Sequence, residues 1–176
     1  MEIRKFQNED SVSVVAMISA TIKTSNSGDY HPDYIEHLAG NFTPERLIQR
    51  AKWTDFYVVC KKGSIIGCGA IGSRGGQQEE SHIYNVYVSP REQRQGIGRS
   101  IIQTLEQSEY FLRSTRVEVI SSVTAVGFYL KLGYELKGKM NATEKDKLYI
   151  LEKKKSSSLE PVGKKLQYSR KNLINL

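Results

Sequence analysis

Blocks of apolar and polar positions divide this chain of 176 residues into short strands and amphipathic helices. Short apolar runs bounded by turn residues predict a series of strands. These cover residues 2–7, 56–60, 65–71, 81–88, 116–120, 134–139 and 148–151. Apolar residues at helical spacing predict the helices between them. These begin after Asp10, at Thr43-Pro44, at Ile97 and at Ser122.

Local sequence signals support several of these boundaries. Asp10 is expected to cap the first helix, because its carboxylate can accept an unpaired N–H. Proline directly after Thr43 is typical of a first helical position, and Gly133 is expected to end the last helix. Residues 25–32 are rich in turn formers and are predicted to be a loop.

The predicted order is β-α-α-β-β-β-α-β-α-β-β. Antiparallel strands come first and crossover helices follow, which predicts an α/β fold with a mixed α+β sheet. One domain is expected over residues 1–152, followed by a basic tail over 153–176.

The charge distribution changes how the net charge of +7 is interpreted. The tail holds seven basic residues and one acid, so it carries six of those charges. Nucleic acid is therefore not expected as a partner of the domain, and the tail is expected to be solvated or to tether the protein. The apolar residues Leu166, Leu173, Ile174 and Leu176 could instead pack on a partner subunit, as in a homodimer.

Targeting signals and cysteines point to the cytoplasm. The longest apolar runs are too short for a membrane span, and the charged start of the chain is unlike a signal peptide. Cys60 and Cys68 are expected to be free thiols. His31, His37 and His82 lack zinc spacing, so no metal is expected.

The most informative segment is a strand, a polar turn and a glycine-rich helix start over residues 82–102. Unpaired N–H groups and the positive end of a helix dipole meet there, which favours a phosphate. Gly96 and Gly98 would let a diphosphate approach the backbone, because they lack a Cβ. A third glycine and a P-loop lysine are missing, which argues against dinucleotide-binding and P-loop sites.

Two motifs together resemble the GNAT acetyltransferase superfamily. The first is Val86-Tyr-Val-Ser-Pro-x-x-Gln93-x-x-Gly96-x-Gly98, which resembles the acetyl-CoA motif. The second is Ser122-x-x-Ala-x-x-Phe-Tyr129-x-Lys-x-Gly133-Tyr134. The resemblance covers about 150 residues, with the element order also in agreement. It implies a central, mostly antiparallel sheet that splays between its fourth and fifth strands.

The resemblance also implies acetyl-CoA as the co-substrate and gives roles to residues. The cofactor-binding set would be Val86, Tyr87, Val88, Gln93, Arg94, Gln95, Gly96, Ile97, Gly98, Arg99 and Ser122. Main-chain groups of Val86 and Val88 would pair with pantetheine. Tyr129 would be the general acid that protonates the departing thiolate.

The general base remains open among several candidates. Relatives often place a carboxylate on the motif strand, where this chain has Ile83-Tyr84-Asn85. The remaining candidates are Glu118, His82 and Glu80, or water alone. Glu118 is the preferred one.

An acceptor amine is expected to meet Tyr30, His82, Tyr84 and Asn85. The preferred function is direct acetyl transfer to a primary amine, with a small molecule favoured over a protein amine. An acidic, aromatic segment over 24–43 could attract a cation. A CoA-binding module without turnover is the alternative.

Overall fold

The computed structural model describes residues 1–141 and 147–155. The strands are β1 Glu2–Lys5, β2 Thr54–Lys61, β3 Ser64–Ser73, β4 Glu80–Val88, β5 Arg116–Ser122, β6 Glu135–Asn141 and β7 Lys147–Lys154. The helices are α1 Ser11–Ser25, α2 Pro32–Gly40, α3 Pro44–Ala51, α4 Ile97–Glu106, α5 Glu109–Arg113 and α6 Val123–Leu130.

The strands form one mixed sheet in the order β1-β2-β3-β4-β5-β7-β6. Among the described strands, only β4 and β5 run parallel. The predicted fold class, a mostly antiparallel α/β sheet, is confirmed. Since α4 and α5 connect β4 to β5, the parallel pair is joined by a helical crossover, as parallel strands require.

Helices cover both faces of the sheet and bury an apolar core on each. On one face Val14, Ile18 and Ile22 of α1 pack with residues of α2, α3, β2 and β3. On the other face Ile101 and Leu105 of α4 pack with residues of α5, β4, β5 and β7. The sheet is therefore the middle layer, and a ligand can reach it only at an edge or where neighbouring strands separate.

The helix starts show which local sequence signals were sufficient to predict an N-cap hydrogen bond. Thr43 caps α3 as predicted, since its hydroxyl accepts the N–H of Arg46 at 3.3 Å. Asp10 is the N-cap residue of α1, as predicted, but the expected side-chain bond is absent, because its carboxylate makes no cap hydrogen bond. It accepts two hydrogen bonds from the guanidinium of Arg4, at 2.7 and 2.8 Å, and one from the N–H of Gln7.

Two helices were absent from the sequence prediction. α2 begins inside the predicted connection between the first two helices, with Pro32 at its first position and His31 as its cap. α5 is a separate short helix that follows the helix predicted to begin at Ile97. Both are short, and the apolar spacing that reveals a longer helix has little room to repeat in them.

The C-terminal strand extends further than predicted. β7 continues to Lys154, and Lys153 belongs to the folded core, where its ammonium lies 2.8 Å from the carboxylate of Glu106. The polar residues 141–146 between the last two strands, which the sequence predicts to be a loop, lie almost wholly outside the described residues, as does the predicted tail from residue 156 onward.

Candidate active site

The fourth and fifth strands pair only along their first halves. Glu80 to Ile83 of β4 pair with Arg116 to Val119 of β5, and no further pair follows. Next to this point β4 bulges: Tyr84 faces Ala70, Tyr87 faces Cys68, and Asn85 takes a left-handed φ of 54°. A bulge bends and twists its strand, so β4 leaves β5 and a gap opens between them. The predicted splay is present.

The main chain of β4 offers hydrogen-bonding groups to this gap. Ser89 donates its N–H to Ile66 in β3 at 2.8 Å. Strand residues point their N–H and C=O groups alternately to opposite sides, so those of Val88 and Val86 point away from β3. The Val88 carbonyl accepts the Gln93 side-chain amide at 3.0 Å. The valine side chains pack into the core below α4.

Tyr87 differs from its two neighbours. It pairs with Cys68 of β3, and its ring packs edge-on against Phe42 with 5.6 Å between centroids. Burial raises the pKa of its phenol. These contacts place its side chain on the α1–α3 face of the sheet, away from the gap.

A turn over 93–99 follows β4 and leads into α4. Arg94 and Gly96 take left-handed φ values of 62° and 82°, and Gly96 is the N-cap of α4. In the described part of the chain, no acceptor hydrogen-bonds to the N–H groups of residues 96–99. These N–H groups and the helix dipole favour an anion. The Ile97 side chain is buried, so it contributes only its N–H, while Arg94, Gln95 and Arg99 are exposed.

Glycine is required at Gly96 and at Gly98 for different reasons. A Cβ at Gly96 would meet nothing within 4 Å, so its left-handed φ is what requires glycine. A Cβ at Gly98 would lie 3.2 Å from the Phe128 ring, so α4 and α6 pack closely there. Gly127 has no atom within 4 Å of the Cβ position, so packing does not require glycine there.

Tyr129 lies on α6, beside this turn. Its ring is 4% exposed and packs edge-on against Phe128 and Tyr134. Burial raises the pKa of its phenol well above the ordinary value of 10. The hydroxyl therefore keeps its proton at neutral pH and is available as a donor.

The start of α6 is held by a residue that was expected to meet the acceptor. Tyr30 accepts the N–H of Val123 at 3.1 Å with its hydroxyl oxygen, while Ser122 makes no side-chain cap bond. Tyr30 is 7% exposed and stacks on Tyr34. The structure thus gives Tyr30 a role in positioning α6.

Glu118 and Glu80 belong to a network of ion pairs across the sheet. Glu118 is 2% exposed, and its carboxylate contacts both Arg74 and Lys137. Glu80 contacts Arg116, whose hydrogen bond holds the pKa of that carboxyl below its usual value. Both carboxylates are engaged in ion pairs within the protein, so neither has the surroundings expected of a general base.

A cleft of about 540 Å³ lies where β4 and β5 separate. We call it the α3–β4 cleft; its lining includes Arg46 and Arg50 of α3, His82, Tyr84 and Asn85 of β4, and Ile120 of β5. Burial is the main reason that the pKa of His82 is lowered to about 4, with a smaller contribution from Arg74 and Arg50 and an opposing one from Glu118. His82 is therefore neutral at pH 7 and can accept a hydrogen bond.

Three of the residues predicted to contact the acceptor amine line the cleft. Two further lining residues were not predicted from the sequence. His82, Tyr84 and Asn85 line the cleft, whereas Tyr30 and Glu118 do not. Arg46 and Arg50 were missed. Their spacing of four residues places them on one side of α3, which was the available signal. The predicted acidic segment contributes no carboxylate to this lining.

Comparison with known proteins agrees with this geometry. A family model described as an acetyltransferase (GNAT) domain matches residues 26–151, which is more than half of the chain. The chain belongs to the GNAT acetyltransferase family. No curated protein sequence matches this GNAT protein.

Solved structures show the same fold at low sequence identity. A PaiA N-acetyltransferase from Thermoplasma acidophilum, in complex with coenzyme A, is 20% identical with a TM-score of 0.73; the match covers 88% of this GNAT chain and 98% of the other. A GCN5-related N-acetyltransferase from Rhodopseudomonas palustris is 21% identical with a TM-score of 0.74, over 87% and 94% of the two chains. The ribosomal-protein-alanine N-acetyltransferase of Brucella melitensis is 15% identical with a TM-score of 0.61, over 88% and 99%.

The described part of this GNAT protein lacks two kinds of feature. Among the described residues, no helix has the length and apolar character of a membrane span. Within the same residues, no group of three or more His, Cys, Asp or Glu side chains is arranged to hold a metal ion.

Proposed function

We propose that the protein transfers the acetyl group of acetyl-CoA to a primary amine. One observation carries the proposal: the unpaired edge of β4 leads directly into the free N–H groups over 96–99. The extended pantetheine arm that bears the thioester can pair with the edge of β4, as a peptide does when it adds to a sheet edge. The diphosphate of the same ligand can then reach the N–H groups over 96–99.

The cofactor contacts divide into two groups. The main chain of Val86 and Val88 would pair with the pantetheine arm, and the N–H groups of 96–99 would bind the diphosphate. Arg94 and Arg99 are exposed beside the turn and would add positive charge. Gln93 holds both the Val88 carbonyl and the Ser25 hydroxyl at 3.0 Å, which fixes the turn against β4 and α1.

The reaction needs no covalent enzyme intermediate. The nitrogen lone pair of the amine attacks the thioester carbonyl carbon, and the carbonyl electrons move to oxygen. When the carbonyl re-forms, the C–S bond breaks and the thiolate takes a proton from Tyr129. The nitrogen loses its extra proton to water, and solvent returns a proton to the Tyr129 phenolate, giving CoA and the acetamide. The N–H of Val86 would stabilise the oxygen in the intermediate. Much of the acceleration would come from holding two substrates together.

Proton removal from the amine is assigned to water, with His82 as the hydrogen-bond acceptor that orients it. His82 lines the α3–β4 cleft and is neutral at pH 7. It would accept a hydrogen bond from the amine or from a water that carries the proton to solvent. Glu118 and Glu80 are engaged by Arg74, Lys137 and Arg116, so we assign them to structure.

The cleft volume favours a small-molecule acceptor over a protein amine. At about 540 Å³ it falls within the range of roughly 300–1,000 Å³ that is usual for small-molecule sites. Its walls come from α3, β4 and β5, so the amine would arrive from the side opposite to the cofactor's diphosphate.

Substitution of Tyr129 by phenylalanine tests the chemistry. Phenylalanine keeps the ring packing but removes the proton donor, so kcat should fall roughly 10²- to 10⁴-fold while acetyl-CoA affinity changes little. Thiol release measures the first quantity and titration calorimetry the second. Unchanged kcat in this variant would remove Tyr129 from the mechanism.

A CoA-binding module without turnover is the second candidate. It is favoured by the α3–β4 cleft, whose described lining contains no carboxylate to serve as a base. The two candidates differ in one measurement. Acetyl-CoA binding with no thiol release across a broad panel of amines would favour the module, and amine-dependent release would exclude it.

A further inference from the structure

The α3–β4 cleft has a strongly one-sided charge. Two guanidinium groups, those of Arg46 and Arg50, line it, and its described lining includes no aspartate or glutamate. His82 adds no charge because burial keeps it neutral at pH 7. A site with two fixed cations disfavours a polyamine and attracts an anionic group.

Arg50 is the unusual member of this pair. Its guanidinium lies 4.5 Å from the centroid of the Tyr84 ring and 5.1 Å from that of Trp53, and it is partly buried. Within the described part of the chain it forms no ion pair. By contrast, Arg74, which directly follows β3, and Arg116 of β5 both contact carboxylates.

The aromatic contacts leave the edge of the Arg50 guanidinium available. Stacking on ring faces uses the plane of the group, whereas its N–H donors lie in that plane and point outward. Burial lowers the pKa of Arg50, which indicates a cation that has lost part of its hydration. An anion that enters the cleft would compensate for the lost hydration by pairing with the guanidinium.

Arg46 is oriented by its own loop. Its guanidinium donates to the Asn41 carbonyl at 2.8 Å and to the Asn41 side-chain oxygen at 3.2 Å. These bonds hold one end of the group and leave donors on the other. Since Arg46 and Arg50 are one helical turn apart, both can serve the same anion.

We infer that the acceptor amine also carries a carboxylate, which Arg50 binds in a two-point contact with support from Arg46. The inference rests on the proposed function, because it assigns the substrate class of the same site. The carboxylate would sit against α3 and the amine would lie near His82 and Asn85, at the β4 bulge where the thioester is expected. The acceptor is thus an amino acid or a similar amino-carboxylate.

Matched pairs of acceptors test this inference. Amino acids and their carboxamides are assayed with acetyl-CoA by thiol release, together with diamines and spermidine. Because a carboxamide lowers the pKa of a neighbouring amine, rates are compared per neutral amine. The acids should exceed their amides in kcat/KM by roughly 10- to 100-fold, the usual value of a charge-assisted hydrogen bond.

Variants of α3 assign the preference to a residue. Arg50→Gln should lower kcat/KM for the acids by roughly 10- to 100-fold and for the amides by less than about threefold. Arg50→Lys should recover only part, since lysine lacks the planar fork. Lys52→Gln is the matched control: it removes an exposed cation next to the same helix without touching the cleft. Circular dichroism and melting temperature verify that each variant is folded.

The outcomes separate the two proposals. Equal or better turnover of amides or polyamines, with acetyl-CoA binding intact, overturns the carboxylate inference and leaves the transferase standing. If no amine is acetylated, calorimetric titration of an acid and its amide, with and without CoA, decides instead. Tighter binding of the acid that depends on Arg50 supports the inference, and equal binding overturns it. Failure to bind acetyl-CoA would count against the transferase alone.

Discussion

At the scale of single residues, two neighbours on the parallel strand pair have opposite electrostatic surroundings. His82 and Glu118 face each other in register. Glu118 is buried but held by Arg74 and Lys137, so its charge is compensated. His82 is buried, and its pKa is lowered mainly by desolvation. The surrounding cations balance the carboxylate of Glu118, whereas desolvation keeps His82 a neutral ring.

Acid should therefore destabilise the protein through His82. Its pKa is about 4 in the folded state, compared with the reference value of 6.5 that applies to the unfolded chain. A lowered folded-state pKa gives stability that is present above pH 6.5 and is lost as pH falls towards 4. Between about pH 7 and 4.5 the loss from this residue should be about 2 kcal/mol. Urea unfolding across this range, compared with His82→Gln, isolates the contribution. Parallel pH curves for the two proteins would mean that His82 is not desolvated.

Glu118→Gln distinguishes a structural carboxylate from a general base. Glutamine keeps the volume but cannot balance Arg74 and Lys137, so the free energy of unfolding should fall by about 1–3 kcal/mol. The two cations keep some solvent access, which limits the loss. The kcat for amine acetylation should remain within about threefold, since another route removes the proton. A loss of kcat beyond about 100-fold without loss of stability would restore Glu118 as the base.

At the scale of elements, local signals predicted the strands and the longer helices, but not the partners of buried charges. Thr43-Pro44 gave the correct start of α3, because a cap and its N–H are only three residues apart. Asp10 carried the same kind of signal, but its carboxylate accepts hydrogen bonds from Arg4 and not from the start of the helix. A sequence shows which groups are able to pair, whereas the fold determines which groups meet.

The candidate site follows the same division. The 93–99 turn and the β4 edge could be predicted, because backbone geometry follows from glycine positions and strand order. The ion pairs of Glu118 could not, since Arg74 and Lys137 come from other strands and loops. Tyr30 lies 93 positions from Val123, whose N–H it accepts. Long-range contacts of this kind leave no local pattern.

Three glycine substitutions test the geometry of the turn and the helix packing around it. Gly96→Ala should cost about 1–2 kcal/mol of stability, since alanine is strained at a φ of 82°. It should also weaken acetyl-CoA binding by displacing the N–H groups. Gly98→Ala should destabilise through the Phe128 ring, 3.2 Å from the new Cβ.

Gly127→Ala is the matched control for these two. It lies inside α6 with no atom within 4 Å of the Cβ position, so it should stabilise the protein by up to about 1 kcal/mol. Chemical denaturation ranks the three variants, and calorimetry gives the acetyl-CoA affinity of each. A Gly96→Ala protein that is as stable as the parent and binds acetyl-CoA equally well would contradict the assigned role of the turn.

At the scale of the whole molecule, the sheet consists of two parts joined by few main-chain contacts. β1 to β4 form one antiparallel part and β5 to β7 the other. Within the described residues, four ladder pairs between β4 and β5 link the two parts. The proposed cofactor would lie in the gap beyond these pairs, with its diphosphate on α4. A ligand in that position contacts both parts, and ligand binding to the folded state alone raises stability.

Acetyl-CoA should therefore stabilise the protein through two separable contributions. At 100 times its Kd the gain is about 2.7 kcal/mol, which for a chain of this size raises Tm by roughly 5–10 °C. Acetylpantetheine at the same concentration keeps the thioester arm but lacks the diphosphate, so its Tm shift should be less than half as large. Raising the salt concentration should reduce the shift for acetyl-CoA more than that for acetylpantetheine, because screening acts on the phosphate contacts. Thermal melts monitored by circular dichroism provide the comparison. Equal shifts from the two ligands would show that the N–H groups over 96–99 bind no phosphate, and the proposed cofactor site would then lose its anchor.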